Sequence, residues 1–140
     1  MKRASSKVPA QPPVTVPATL AAALDPRWLE AALAADSCGA RIVEVRQVEV
    51  IRTVATKVRF EIDFVGDAGT RAYCLKGLLD VDEMTARGGS TCVLEADFYC
   101  RVAPQVDVNV PDCVAAVIDR DAQQAVIVMR DLIAGGAQFC

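Results

Sequence analysis

Tyr73-Cys74-Leu75-Lys76-Gly77-Leu78-Leu79 is an apolar strand pattern with a single ammonium set into it. Holding a lysine among apolar side chains is unfavourable unless an anion meets it. Lys76 therefore predicts a partner. Side chains alternate across a strand, so Cys74 and Lys76 share one face. Two partners stay open at this point: the carboxylate of Glu95, on the next predicted helix, or the phosphate of a bound ligand.

Upstream of this strand, residues 57–65 alternate without a break. Val58, Phe60, Ile62 and Phe64 point one way; Lys57, Arg59, Glu61 and Asp63 point the other. Gly66-Asp67-Ala68-Gly69 joins the two as a hairpin turn. Residues 42–52 carry Val43 and Val45, then Val48 and Val50, with a phase slip at Gln47 that predicts a bulge. Before them, Asp25-Pro26 reads as a helix cap followed by proline at the first helical position. Trp28, Leu29, Ala32 and Leu33 then share a helical face, and Gly39 ends the segment. Residues 1 to about 20, rich in Pro, Ala, Ser and Thr, read as a flexible tail.

Downstream, residues 80–89 form an acidic and then glycine-rich connection, and Asp80, Asp82 and Glu83 are read as solvated. A helix follows over about 91–103, with Ser90 or Thr91 as its cap. Its apolar stripe is Leu94, Phe98 and Val102, at i, i+4 and i+8, with Glu95 at the stripe's edge facing a neighbouring sheet. Phe98 and Tyr99 read as core packing. Beyond Pro104 and Pro111 come two strands, 113–119 and 124–130, joined by Arg120-Asp121-Ala122-Gln123. The order is helix, three strands, helix, two strands.

The bulk properties narrow the function classes. The 140 residues, 53% hydrophobic and 24% charged, have the length and composition of one globular domain. A net charge of −3 argues against a nucleic-acid-binding surface. No apolar run approaches the roughly 18 residues of a membrane span. Met1-Lys2-Arg3 is basic, but Pro9, Pro12, Pro13 and Pro17 break any signal-peptide core. A cytoplasmic protein without membrane or nucleic-acid partners is expected. Six cysteines without a C-x-x-C spacing, in a chain without histidine, predict reduced structural thiols rather than a zinc site. The missing histidine also excludes Ser-His-Asp and Cys-His catalysis within this chain.

Three stretches carry a resemblance to a known family: Tyr73-Cys74-Leu75-Lys76, then Glu95-Ala96-Asp97-Phe98-Tyr99, then Val128-Met129-Arg130-Asp131-Leu132. In this order, and on these elements, they resemble the N-terminal lobe of the aminoglycoside phosphotransferases and their kinase-like relatives, over residues 25–140. The resemblance implies an α+β fold: five antiparallel strands, one packed helix between the third and fourth, and an N-terminal helix in addition. It also implies that Lys76 binds the α and β phosphates of ATP while Glu95 holds Lys76 through an ion pair. Cys74 would cover the adenine. Met129, Arg130, Asp131 and Leu132 would form the hinge, with the backbone of Arg130 to Leu132 bonded to the adenine edge. The turn Arg52-Thr53-Val54-Ala55-Thr56 would cover the phosphates, with the Thr53 and Thr56 hydroxyls standing in for the glycines that protein kinases use there. Arg130 stands where these relatives usually carry glutamate.

The family's second lobe supplies an H-x-D catalytic loop and a Mg²⁺-binding aspartate, and neither motif precedes Cys140. The resemblance therefore implies a fragment, inactive by itself, whose acceptor hydroxyl on a small molecule would be bound by the missing lobe together with Mg²⁺. No catalytic or metal-binding residue is assigned within the chain. The alternatives are a non-catalytic α+β binding domain, with Lys76 as a surface charge, and a pseudo-kinase lobe that binds nucleotide without transferring phosphate.

Overall fold

The computed structural model describes residues 8–66, 69–107 and 109–131. Five strands form one sheet: β1 (Ile42–Arg52), β2 (Thr56–Phe64), β3 (Thr70–Gly77), β4 (Cys113–Asp119) and β5 (Gln124–Arg130). Their spatial order is β1-β2-β3-β5-β4, and every neighbouring pair is antiparallel. Short helices α1 (Leu20–Ala23), α2 (Pro26–Ala32) and α3 (Ala34–Ser37) precede the sheet; α4 (Glu83–Ala86) and α5 (Ser90–Asp97) lie between β3 and β4.

The alternation of β2 places Val58, Phe60, Ile62 and Phe64 in the core. They meet Tyr73 and Leu75 of β3 and Leu29 and Leu33 of the N-terminal helices in one apolar layer behind the sheet. Asp25 caps α2, its carboxylate accepting from the Arg27 amide at 2.9 Å, with Pro26 opening the helix. Cys38 and Gly39, both at positive φ, then end the helical segment. A second apolar layer lies in front of β4 and β5 only, where Val93, Ala96 and Tyr99 pack on Cys113, Ala116, Ala125 and Ile127. Covered on both sides, β4 and β5 need the near-continuous apolar runs they have. In front of β1, β2 and β3 none of the described helices packs, and that face is charged.

Four expectations change. In β1 two bulges occur, one at the expected phase slip and one near the strand start; each leaves a valine, Val43 or Val48, outside the pairing register. These two valines turn outward, and the core receives Ile42, Val45 and Val50 instead. The stretch before α5 is also not a simple loop. Asp82 caps α4, accepting from the Thr85 amide at 2.7 Å, and the chain runs on through a 3₁₀ turn at Arg87–Gly89 into α5, so Ser90 and Thr91 cap nothing. Beyond Asp97 the helix widens to a π turn over Phe98–Val102.

The third change concerns the apolar stripe. Leu94 is 70% exposed and Val102 47%, while Val93, Ala96, Tyr99 and Ala103 are buried. The helix meets the sheet through this second row rather than through the expected stripe. The fourth concerns the expected tail. From residue 8 onward the segment lies along the sheet: Ala10 pairs in parallel with Ala115 at the outer edge of β4, and Pro9 and Pro17 are buried. The Trp28 indole donates to the Thr15 carbonyl at 2.7 Å, and Val14 and Val16 pack on the rear core. The backbone bonds at the β4 edge and these apolar contacts offset the ordering entropy that composition alone predicts would win.

Candidate functional site

Lys76 leaves β3 on the open front of the sheet, where α5 stops covering it. Its ammonium meets Glu95 of α5 at 3.1 Å, with both side chains roughly one-third exposed or less. One carboxylate oxygen of Glu95 makes this contact. The lysine is thereby held at the boundary between the covered and the uncovered parts of the sheet. Cys74, two residues earlier, shares its face and is half-buried, and burial raises its thiol pKa, with the nearby Asp131 carboxylate adding to the effect.

The register adds a residue that the sequence reading did not single out. Lys57 of β2 lies directly opposite Lys76. Directly paired residues of antiparallel strands project to the same side, and like charges so placed repel. Lys57 is exposed, and among the described residues no carboxylate lies within ion-pairing distance of it. The signal was present in the clean hairpin alternation, but the pairing depends on the turn length, which the alternation does not report.

The other charges on this face are satisfied. Arg59 bridges Glu49 and Asp131, each at 2.9 Å, and Arg46 bridges Glu61 and Asp63. The hydrogen bonds from Arg46 and Thr70 lower the Asp63 pKa to about 2. A surplus of positive charge is thus confined to one end of the face, at Lys57 and Lys76. Such a pair of ammoniums, beside a helix and on an open surface, can hold a phosphate oxygen on each side.

The remaining predicted residues divide. Met129 is the register partner of Cys74 and lies on the same front face. Arg130 projects the other way, and its guanidinium meets Asp36 behind the sheet. The Arg130 amide donates to the Asp112 carbonyl at 2.9 Å and the Asp131 amide to the Ala72 carbonyl at 3.1 Å. These two donors are engaged within the protein, so the expected hinge contacts from them to an adenine edge are not available. Asp131 is buried and paired with Arg59. Leu132 lies outside the described residues.

The phosphate-covering turn is also altered. Thr56 is buried, and its hydroxyl accepts from Arg52 at 3.4 Å, which removes it from the front face. Thr53 is exposed and bonds locally, its hydroxyl donating to the Ala55 carbonyl at 3.0 Å. The structure therefore brings together Lys76, Glu95, Cys74 and Met129, adds Lys57, and leaves Thr56 and the Arg130 side chain elsewhere. Among the described residues no three carboxylates or thiols cluster as metal ligands, and no described helix is long and apolar enough to cross a membrane. Comparison with family models, with curated proteins and with solved structures gives no match for this chain.

Proposed function

We propose that this chain is the nucleotide-binding lobe of an ATP-dependent phosphotransferase acting on small-molecule hydroxyl groups, similar to the aminoglycoside phosphotransferases. The observation that carries the proposal is the Lys76–Glu95 ion pair at 3.1 Å, set beside Lys57, which meets no carboxylate among the described residues, at the edge of an open sheet face. The strand order β1-β2-β3-β5-β4, with the helix bearing Glu95 between β3 and β4, supports it. In this role Glu95 fixes the Lys76 ammonium, and Lys76 and Lys57 neutralise the phosphates between them. Cys74 and Met129 offer an apolar floor for the base. Mg²⁺ would arrive with the triphosphate, and its protein ligands and the acceptor site would come from a second lobe. With no histidine in the chain, no H-x-D base is present, and transfer by these residues alone is not expected.

Calorimetric titration of the protein with ATP tests the proposal. Binding that is lost in Lys76→Ala is the expected result; unchanged binding in that variant overturns it. A second reading, an anion-binding α+β module without nucleotide specificity, is favoured by the engaged amides of Arg130 and Asp131. Inorganic tripolyphosphate separates the two. A base-recognising lobe binds ATP more tightly than tripolyphosphate, whereas an anion module binds both alike.

A further inference from the structure

The outer edge of β4 is half-used by the chain's own N-terminal segment. Ala10 lies parallel to Ala115; its amide donates to the Val114 carbonyl at 3.1 Å, and its carbonyl accepts from the Ala116 amide at 2.8 Å. In a parallel ladder the next bond would run from the amide of residue 12 to the Ala116 carbonyl. The one after it would run from the Ile118 amide to the carbonyl of residue 12. Residue 12 is proline and has no N–H to give. Its carbonyl accepts instead from the Val14 amide at 2.9 Å, and the segment turns off the edge. The Ala116 carbonyl and the Ile118 amide point away from β5, and among the described residues nothing bonds them. Here the segment stands off and leaves a cleft of about 280 Å³, with Val14 to Val16 on one wall and Ile118 to Asp121 on the other.

We propose that this cleft binds an extended peptide segment of another protein, added to the edge of β4 and carrying a lysine or arginine next to an apolar residue. The open carbonyl and amide, spaced as in a ladder, require an extended backbone with a free N–H. A residue set beside Val117, as Ala10 is set beside Ala115, satisfies both. Paired residues project to the same side of a sheet, and Val117 faces the rear core on which Val14 and Val16 also pack, so that residue is apolar. Charge fixes its neighbour. Asp119 and Asp121 are exposed at the hairpin end of the cleft. One Asp119 oxygen accepts from the Ala122 amide at 3.0 Å, and Asp121 meets no cation among the described residues. Arg120, between them, is engaged by Asp97 at 2.8 and 3.1 Å. The uncompensated charge at this end is therefore negative, and a basic side chain complements it. The cleft lies at the sheet edge two strands from Lys76 and does not rest on nucleotide binding.

Titration of the isotope-labelled chain with a synthetic peptide of alternating valine and lysine tests it, followed through the backbone amide NMR signals. Saturable shifts centred on Ile118 and the hairpin that follows it are expected. A peptide N-methylated at its valines lacks the N–H groups the edge requires, and it is expected to bind at least about tenfold more weakly. A peptide with glutamate in place of lysine is expected to lose affinity too, and Asp121→Lys, a change on an exposed turn, to weaken the lysine peptide. No saturable shift at Ile118 with millimolar peptide overturns the proposal. So does equal binding of the parent and N-methylated peptides, or of the lysine and glutamate peptides.

Discussion

Lys57 and Lys76 face each other across β2 and β3 as direct register partners, and among the described residues only Lys76 has a carboxylate beside it. Two ammoniums so placed destabilise the ligand-free sheet and favour an anion between them. Lys57→Gln is expected to stabilise the free protein by about 0.2–1 kcal/mol while weakening triphosphate binding several-fold. Thermal melts with and without tripolyphosphate, at low and high salt, measure both effects. Loss of stability together with unchanged binding would remove Lys57 from the site.

Glu95 acts through Lys76 rather than on a ligand. Glu95→Gln keeps the size of the side chain and removes its charge, so the ammonium loses its anchor but keeps its own charge. Weaker ATP binding is expected than in the wild type, with more binding left than in Lys76→Ala. Equal losses in the two variants would mean that Glu95 contributes more than position.

Asp36 joins three elements that are distant in sequence. It accepts from Tyr73 at 2.7 Å and from Arg71 at 3.1 Å, and it pairs with Arg130. Burial, with the Asp36 carboxylate adding to it, pushes the Tyr73 phenol above its ordinary pKa, so it stays a donor. Asp36→Ala leaves that hydroxyl without its acceptor and takes the carboxylate from two guanidiniums, although Arg71 keeps the backbone carbonyl of residue 36 at 2.6 Å and Arg130 keeps Asp112 at 3.9 Å; a loss of about 1–3 kcal/mol is expected. Urea denaturation checks it. Tyr73→Phe in the Asp36→Ala background should then change stability little, because the shared partner is already gone.

Two glycines are required by close packing. A Cβ at Gly77 would run into the Val126 side chain, and one at Gly89 would run into the Gln123 carbonyl. Gly89→Ala presses on backbone that cannot turn aside, so it is expected to cost more than Gly77→Ala, whose neighbour is a side chain. Both should fall within or above the roughly 1–3 kcal/mol of overpacked sites. A Gly89→Ala protein as stable as the wild type would contradict the contact of α5 with the β4–β5 hairpin.

Asp63 is one of the carboxylates, with Asp82 and Asp97, whose pKa the fold lowers. Its folded pKa, about 2, lies below its ordinary value of 3.8. A carboxylate shifted this way binds protons more readily when unfolded, so its stabilising effect is full above about pH 4 and is lost as pH falls toward 2. Asp63→Asn is expected to flatten the fall in melting temperature over that range. An acid limb identical to that of the wild type would show that other carboxylates carry it.

Much of the fold was legible because β-structure writes its faces with a period of two. The alternation from Lys57 to Phe64 sorts core from front residue by residue, and the same rule puts Cys74 beside Lys76. The caps and turns were local as well: Asp25 with Pro26, and the polar turn between the last two strands. The helix bearing Glu95 was placed correctly as an element, but its buried face was not. Leu94, Phe98 and Val102 satisfy a helical period as well as Val93, Ala96 and Tyr99 do, and period alone does not say which row meets the sheet.

By itself, then, the sequence determined the five strands, their order along the chain, and the side of β3 on which Lys76 stands, since each depends on neighbours within a few residues. The tertiary structure decided the rest. It chose the face of α5, and with it the meeting of Glu95 and Lys76. It set Lys57 opposite Lys76 through the hairpin register, drew Thr56 inward, and joined Asp36 to Arg130 across most of the chain. Those outcomes depend on which surfaces bury the most apolar area together, a property of the whole packed molecule rather than of any local stretch.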